Sequence, residues 1–212
     1  MNSSLVMITG WAHGTGSMRP LADQLAADFD VQILTGAQVL SAQKIPDADY
    51  VVGWSMGGIL ALEHLPASCK KLVLISATAR FCATENYSCG IPEKFLRRMI
   101  VQLRRDPGAV LAEFYKNVCF PRPPQPAEPG GHLAEGLDYL LTADLRTTVP
   151  NLGIPVLLLH GEEDLIIPPE ASDWLAQHLP SANCIRLADE GHQPAALAIA
   201  PHIRHFLAKE TQ

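Results

Sequence analysis

Short apolar runs alternate along this chain with longer stretches in which apolar residues recur every three or four positions. Runs such as Val156–Leu159 are apolar at every position, which is typical of parallel strands covered on both faces. The runs that predict strands are Leu5–Thr9, Val31–Leu34, Tyr50–Gly53, Lys71–Ser76, Pro155–His160 and Asn183–Leu187. The amphipathic stretches predict helices at about 17–29, directly after Ser55, at about 169–179 and at 194–208. This alternation predicts a mostly parallel sheet of about six strands joined by right-handed crossovers.

One region, residues 80–145, interrupts the alternation because no strand pattern is evident in it. It contains a helix with Pro92 near its start, followed by a proline-rich connection at 121–126. Catalytic residues of parallel sheets lie on loops beyond the carboxyl ends of the strands, so an insertion at that edge is interpreted as a helical cap over a pocket. We therefore predict a core formed by residues 1–79 and 146–212, and a cap at 80–145.

The composition restricts the class of protein. The 212 residues are 48% hydrophobic and 18% charged, which fits one soluble globular domain. The formal net charge of −6 argues against general nucleic-acid binding. No stretch approaches the roughly 18 apolar residues of a membrane span, and the N-terminus lacks the features of a signal peptide, so we expect a cytoplasmic protein with no membrane association. The five scattered cysteines are expected to be reduced, and no metal or cofactor is expected.

The candidate chemistry begins at 53–58, Gly-Trp-Ser-Met-Gly-Gly, where a serine lies between glycines at G-x-S-x-G spacing. The motif follows a predicted strand and precedes a predicted helix, as in the nucleophile elbow of the α/β-hydrolase fold. A turn this sharp imposes strained backbone angles on Ser55, and glycines two residues away let the strand and the helix approach each other. We therefore predict an α/β-hydrolase fold with Ser55 as the nucleophile.

A serine nucleophile needs a base, and the base needs an acid that orients it. In α/β-hydrolases the acid follows the serine along the chain, and the histidine follows the acid. Asp164 lies just beyond the fifth predicted strand and His192 just beyond the last, so we predict that they complete the triad. Glu162 and Glu163 are the alternatives for the acid. Of the other histidines, surface or packing roles are expected for His64, His202 and His205, and the remaining ones are His13, His132, His160 and His178.

The oxyanion of an acyl-transfer reaction needs two preorganised amide donors. One is expected at Met56, the residue after the nucleophile, and the other on the glycine-containing loop 9–16, where Trp11 is the predicted donor. The alternative is a phosphate-binding glycine loop. This loop lacks the lysine of the Walker motif and the full glycine fingerprint, so the oxyanion role is favoured.

Positive charge is concentrated in the predicted cap. Residues 80–122 include eight basic and four acidic residues, a balance of +4, whereas the rest of the chain has a balance of −10. Lys94 and three arginines fall on or near one face of the predicted cap helix, opposite Phe95, Met99 and Leu103. A solvated helix face explains this pattern, and so does docking of an acidic partner, so both interpretations stay open.

Three motifs together resemble a known family. The elbow at 53–58, the pair Gly10-Trp11 and the triplet Asp144–Arg146 are similar to those of the pimeloyl-[acyl-carrier-protein] methyl ester esterases of biotin synthesis, and the resemblance runs from Leu5 to the C-terminus. It implies hydrolysis of the methyl ester at the far end of a pimeloyl chain that is still tethered to its acyl-carrier protein. The three predicted triad residues would supply the nucleophile, the base and its orienting acid.

The same resemblance implies two further sets of residues. Cap arginines would contact the acidic carrier protein, and the matching positions here are Arg97, Arg98, Arg104 and Arg105. Substrate contacts would come from Trp11 and from the cap stretch formed by Phe114, Tyr115, Lys116, Asn117 and Val118.

The chain departs from the family pattern at three places. Thr9-Gly10 stands where the family has His-Gly before the oxyanion donor, and the N-terminal hairpin common in this fold is expected to be absent. Little chain separates Leu34 from Tyr50, so the helix there is expected to be short or missing. Another serine hydrolase of this fold, such as a thioesterase or a short-chain esterase, is the first alternative function. A non-catalytic binding protein on the same fold is the second.

Overall fold

The computed structural model describes residues 2–123 and 130–208, so residues 124–126 of the predicted proline-rich connection lie outside the described part. Within that part, one six-stranded sheet has the order β2-β1-β3-β4-β5-β6, and every neighbouring pair is parallel. All six predicted strands are confirmed within two residues. Their bounds are β1 Ser3–Ile8, β2 Phe29–Leu34, β3 Tyr50–Trp54, β4 Lys71–Ile75, β5 Val156–Gly161 and β6 Ala182–Leu187.

Helices connect the strands, as the alternation predicts. The described helices are α1 Arg19–Leu25, α2 Gly36–Ala42, α3 Met56–Glu63, α4 Glu93–Leu103, α5 Pro107–Cys119, α6 Leu133–Thr142, α7 Glu170–His178 and α8 Ala196–Ala208. The helix between Leu34 and Tyr50 is present but has only seven residues, beginning with a capping box between Thr35 and Gln38. The predicted helix at 17–29 is wrong at its end, because Phe29 already belongs to β2 and pairs with Ser3.

Two apolar layers cover the sheet, one on each face. Alternate residues of β1 illustrate the division. Leu5 and Met7 belong to the layer that contains α1 and α8, whereas Val6 and Ile8 belong to the layer that contains α2, α3, α4, α6 and α7. In the four inner strands, β1, β3, β4 and β5, most residues on both faces are buried, which explains why these strands are apolar at successive positions. The edge strands β2 and β6 are partly exposed.

Helices α4, α5 and α6 all lie between β4 and β5 in the chain. The segment that contains these three helices begins and ends at adjacent residues, since Arg80 bridges Asp144 and the Leu145 N–H donates to the Ala79 carbonyl at 2.8 Å. Asp144 accepts at 2.7 Å from both Arg80 and Arg146, and these hydrogen bonds hold the pKa of its carboxyl well below the usual range. The triplet Asp144–Arg146 therefore joins the two ends of this segment, which is the predicted cap.

Candidate active site

Ser55 lies in a sharp turn between β3 and α3. Its φ of 56° and ψ of −123° are outside the regions that residues other than glycine usually occupy. The turn is tight enough that a Cβ on Gly53 would lie 2.6 Å from the Gly57 carbonyl oxygen and from the Gly58 Cα. The Ser55 N–H donates to the Ile75 carbonyl of β4 at 2.9 Å. The glycines of the motif thus permit the strand–helix approach that holds Ser55 at the carboxyl edge of the sheet.

A chain of hydrogen bonds joins Ser55, His192 and Asp164. His192 Nε2 is 2.9 Å from Ser55 Oγ, and His192 Nδ1 is 2.8 Å from Asp164 Oδ2. An ionised carboxylate only accepts hydrogen bonds, so Nδ1 carries the proton and the lone pair of Nε2 faces the serine hydroxyl. All three side chains are buried. This arrangement is able to take a proton from Ser55 and to stabilise the imidazolium that results.

Asp164, and not Glu162 or Glu163, is the acid that contacts His192. Both glutamates are exposed, whereas the Asp164 carboxylate accepts from the Ile166 and Ile167 amides at 2.7 and 2.9 Å. Burial alone would raise the pKa of Asp164, but its attraction to His192 and its hydrogen bonds from histidine outweigh burial and hold that pKa well below the usual range. The carboxylate is therefore ionised beside His192.

The loop that carries His192 is held from two sides. The Trp54 indole N–H donates to the His192 carbonyl at 2.8 Å. From the cap side, Arg122 contacts the Glu190 carboxylate at 2.6 Å and also donates to the Gln193 carbonyl. The sequence shows Arg122 only as one of the basic residues of the predicted cap, because its partners are about 70 residues away in the chain.

The two predicted oxyanion donors lie next to the nucleophile. Met56 is the first residue of α3, so its amide has no partner within the helix, and the positive end of the helix dipole lies there. The loop containing Trp11 approaches from β1, and a Cβ on Gly10 would lie 3.4 Å from Ser55 Oγ. The Trp11 indole donates to the Leu133 carbonyl at 2.8 Å, which ties this loop to the cap helix α6.

His13 is a buried histidine of the same loop to which no role was assigned from sequence. Its Nδ1 lies 2.8 Å from the Trp11 carbonyl, and its ring packs against Trp54 and Tyr115. Burial, partly opposed by that hydrogen bond, lowers the pKa of His13 to about 4. The ring is therefore neutral at pH 7, and it stabilises the loop through packing and this hydrogen bond rather than through charge.

A cavity of about 450 Å³ opens above Ser55. Its wall is largely apolar, with Trp11 from the core and Phe114 and Asn117 from α5 among the described residues that line it. The other three predicted substrate contacts have different surroundings. The Tyr115 hydroxyl donates to the Ala12 carbonyl at 2.6 Å, Lys116 is exposed beside Glu113, and Val118 is fully buried in the core. Only Phe114 and Asn117 of that stretch thus line the cavity.

A second groove, of about 660 Å³, lies between α4 and α5 and shares part of its wall with the first. The shared residues are Phe95, Met99, Phe114, Asn117 and Ile166. Of the four predicted docking arginines, Arg98 and Arg105 line this outer groove. Arg104 is exposed, and Arg97 forms an exposed ion pair with Glu93 at 2.5 Å.

Comparison with known proteins identifies the family. A family model described as "Alpha/beta hydrolase family" matches residues 7–203, which is most of the chain. The chain belongs to the alpha/beta hydrolase family. This hydrolase is also 29% identical to a pimeloyl-[acyl-carrier protein] methyl ester esterase of Nitrosomonas europaea, over 90% of this chain and 88% of the relative. An esterase of the same name from Aromatoleum aromaticum is 30% identical, over 90% and 91% of the two chains.

Solved structures bear out the fold of the hydrolase. A hydrolase from Oleispira antarctica superposes with a TM-score of 0.82 at 15% identity, covering 99% of this chain and 92% of the other. An esterase from Exiguobacterium antarcticum gives a TM-score of 0.76 at 17% identity, with 97% and 90% covered. The family and its esterase relatives make the protein a carboxylic ester hydrolase, and they confirm the resemblance drawn from its motifs.

Neither a metal-binding cluster nor a membrane-spanning helix is found in the described part of the hydrolase. Residues 2–123 and 130–208 contain no group of three or more His, Cys, Asp or Glu side chains arranged to hold a metal ion. None of the helices in the same ranges has the length and apolar character that crossing a bilayer requires.

Proposed function

We propose that this hydrolase is a serine carboxylesterase that cleaves the methyl ester of pimeloyl-acyl-carrier protein. The observation that carries the proposal is the hydrogen-bonded chain from Ser55 through His192 to Asp164 at the floor of an apolar cavity. The substrate is inferred from the relatives named pimeloyl-[acyl-carrier protein] methyl ester esterase.

In the proposed mechanism the triad divides the hydrolysis into two acyl transfers. Ser55 Oγ attacks the ester carbonyl carbon while its proton moves to His192 Nε2, and the amides of Met56 and Trp11 stabilise the oxyanion. The tetrahedral intermediate collapses, and methanol leaves with the proton from Nε2. Water then attacks the acyl-enzyme, giving a proton to Nε2. Cleavage of the acyl–Oγ bond returns that proton to Ser55 and releases the carboxylic acid, which ionises.

The shape and charge of the cap support a tethered, linear substrate. An apolar chain fits the cavity above Ser55, and the outer groove between α4 and α5 adjoins this cavity through shared wall residues. Arg98 and Arg105 line that groove, and acidic carrier proteins are attracted to such basic surfaces. In this arrangement the ester reaches Ser55 while the carrier protein stays outside, against the cap.

The substrate is tested by incubating the protein with methyl pimeloyl-carrier protein and measuring methanol and free carrier thiol separately. We expect methanol release with the carrier thioester intact, because the distal ester is the group that reaches Ser55. Release of the thiol instead would identify a thioesterase. Turnover of simple esters without turnover of the carrier substrate would identify a short-chain esterase.

The nucleophile is tested with Ser55→Ala, which removes only the hydroxyl. We expect hydrolysis of the carrier-linked methyl ester and of simple esters to fall by at least about 10³-fold, with the melting temperature nearly unchanged. Labelling of the wild type, but not of this variant, by a fluorophosphonate probe is the matching chemical readout. Retained turnover in Ser55→Ala would contradict the assignment.

A further inference from the structure

The acid of the proposed triad has a second histidine partner. His160, in β5, is fully buried, and its Nε2 lies 2.9 Å from Asp164 Oδ2, the same oxygen that contacts His192. The same Nε2 is 3.1 Å from the Ile167 carbonyl oxygen. On the other side of the ring, Nδ1 is 2.6 Å from the hydroxyl of buried Ser172 in α7.

These contacts determine which nitrogen of His160 carries the proton. Both partners of Nε2 are acceptors, so Nε2 is the N–H and Nδ1 is the lone pair that accepts from Ser172. The Asp164 carboxylate then receives four hydrogen bonds, two from backbone amides on Oδ1 and two from histidines on Oδ2. Its negative charge is divided among all four donors.

We propose that His160 is a positioning residue, which orients Asp164 and limits how strongly that carboxylate holds the proton of His192. The inference rests on the triad of the proposed function and not on the identity of the acyl group. Every donor that shares Oδ2 withdraws charge from the hydrogen bond to His192. Without the donor at Oδ2, Asp164 would stabilise the imidazolium more strongly, and His192 would be protonated, and unable to act as a base, up to a higher pH.

Other ionisable groups near the triad do not take over this role. His13, on the β1 side, is neutral at pH 7 because burial lowers its pKa to about 4. Glu190, in the His192 loop, is paired with Arg122 at 2.6 Å. Asp164 is thus the charged group in direct contact with His192, and His160 is the side chain that shares its oxygen.

Two amide substitutions separate the donor function of His160 from its packing. In His160→Gln the amide nitrogen is able to reach the position of Nε2 and donate to Asp164. In His160→Asn the shorter side chain reaches only the position of Nδ1, so it keeps a polar partner for Ser172 and loses the donor to Asp164. The measurement is kcat/KM against pH with a simple chromogenic ester, which does not depend on the carrier protein.

The acid limb is the part of the pH profile where kcat/KM falls as the pH is lowered. We expect its midpoint to stay within about 0.3 pH units of the wild type in His160→Gln and to rise by about one unit in His160→Asn. A rise of one unit lowers kcat/KM about tenfold at pH values below the limb. Unchanged limbs in both variants, or equal shifts in both, would overturn the proposal and leave His160 as a packing residue.

A further variant covers the case in which His160→Asn does not fold. Ser172→Ala removes the hydroxyl that donates to Nδ1 and holds the ring with its Nε2–H toward Asp164, so the donor at Oδ2 is weakened while the imidazole remains. We expect its acid limb to move to higher pH, in the same direction as in His160→Asn but by less, and an unmoved limb counts against the proposal. An inactive wild type, or an active Ser55→Ala, would instead mean that the triad assignment itself has failed.

Discussion

At the scale of single residues, the protonation of His13 in the oxyanion loop makes the stability of the fold depend on pH. Its ring is enclosed by aromatic side chains, so the positive charge that a second proton brings would be desolvated. The folded state therefore binds this proton more weakly than the unfolded chain does, with a pKa of about 4 against 6.5.

This difference predicts a loss of stability in mild acid. Above pH 6.5 His13 is neutral in both states, whereas between pH 6.5 and 4 the unfolded chain gains a proton that the folded protein does not. We expect His13 to remove about 3 kcal/mol of unfolding free energy across this window. Urea denaturation of the wild type and of His13→Gln, which does not titrate, measures the effect. If the unfolding free energies of the two proteins depend equally on pH, His13 does not titrate in this way.

The triad residues were predictable from sequence, whereas His160 was not. Asp164 and His192 each follow a predicted strand, and parallel strands place such positions at one edge of the sheet. The environment of His160 depends on Ser172, which α7 brings against the end of β5. Nothing in the local sequence marks that contact, since it arises only when the helix packs on the sheet.

At the scale of elements, the contact between α3 and β1 requires glycine. A Cβ on Gly57 would lie 2.7 Å from the Thr9 carbonyl oxygen and even closer to that of Ile8. Both clashing atoms are backbone, so no side-chain rotation relieves them. The first turn of α3 and the end of β1 therefore approach as closely as their main chains allow, and this contact brings the oxyanion loop to Ser55.

We expect Gly57→Ala to lower the unfolding free energy by about 3 kcal/mol and to reduce kcat through displacement of α3. Gly16→Ala is the matched control, because a Cβ there meets no atom within 4 Å and the φ of Gly16 is not positive. That substitution should leave stability within about 0.5 kcal/mol. Thermal and urea denaturation of both variants measure the difference, and an equal effect in the two would exclude the steric explanation.

Helix ends were harder to predict than strands, for a physical reason. Phe29 continues the apolar spacing of α1, so the pattern extends the helix to that residue. In the structure α1 ends at Leu25, and Phe29 instead packs against Tyr50 with ring centroids 5.7 Å apart. A pairing between strands that are distant in the chain thus overrides a local periodicity.

At the scale of the whole molecule, charge is unevenly distributed, with a balance of +4 in residues 80–122 and of −10 in the rest of the chain. The division into core and cap stays a prediction, as does docking of a carrier protein at the basic surface. Most of the predicted apolar face of helix α4 packs inward, since Leu96 and Leu103 are buried and Met99 packs against the core. Phe95 is the exception, because it is 54% exposed and lines the outer groove. The periodicity thus predicts the buried face of the helix, whereas the exposure of Phe95 depends on the groove between α4 and α5.

Reversing the two groove arginines tests carrier docking. We expect Arg98→Glu with Arg105→Glu to raise KM for the carrier-linked substrate about tenfold, because repulsion replaces attraction at the cap. The double variant should hydrolyse simple esters with the same kcat/KM as the wild type. The control is Arg19→Glu with Lys44→Glu, an equal change in net charge at exposed residues outside the cap. Equal effects of the two double variants on the carrier-linked substrate would contradict local docking.

The adjacent ends of the predicted cap have an evolutionary consequence. Because the chain enters and leaves this segment through adjacent residues, Arg80 and Asp144, the segment is free to change in length without altering the pairing of β4 with β5. The residues proposed for catalysis lie outside it. Descendants of this gene are therefore expected to diverge in substrate range mainly through exchange of this one segment, while the reaction itself is inherited unchanged.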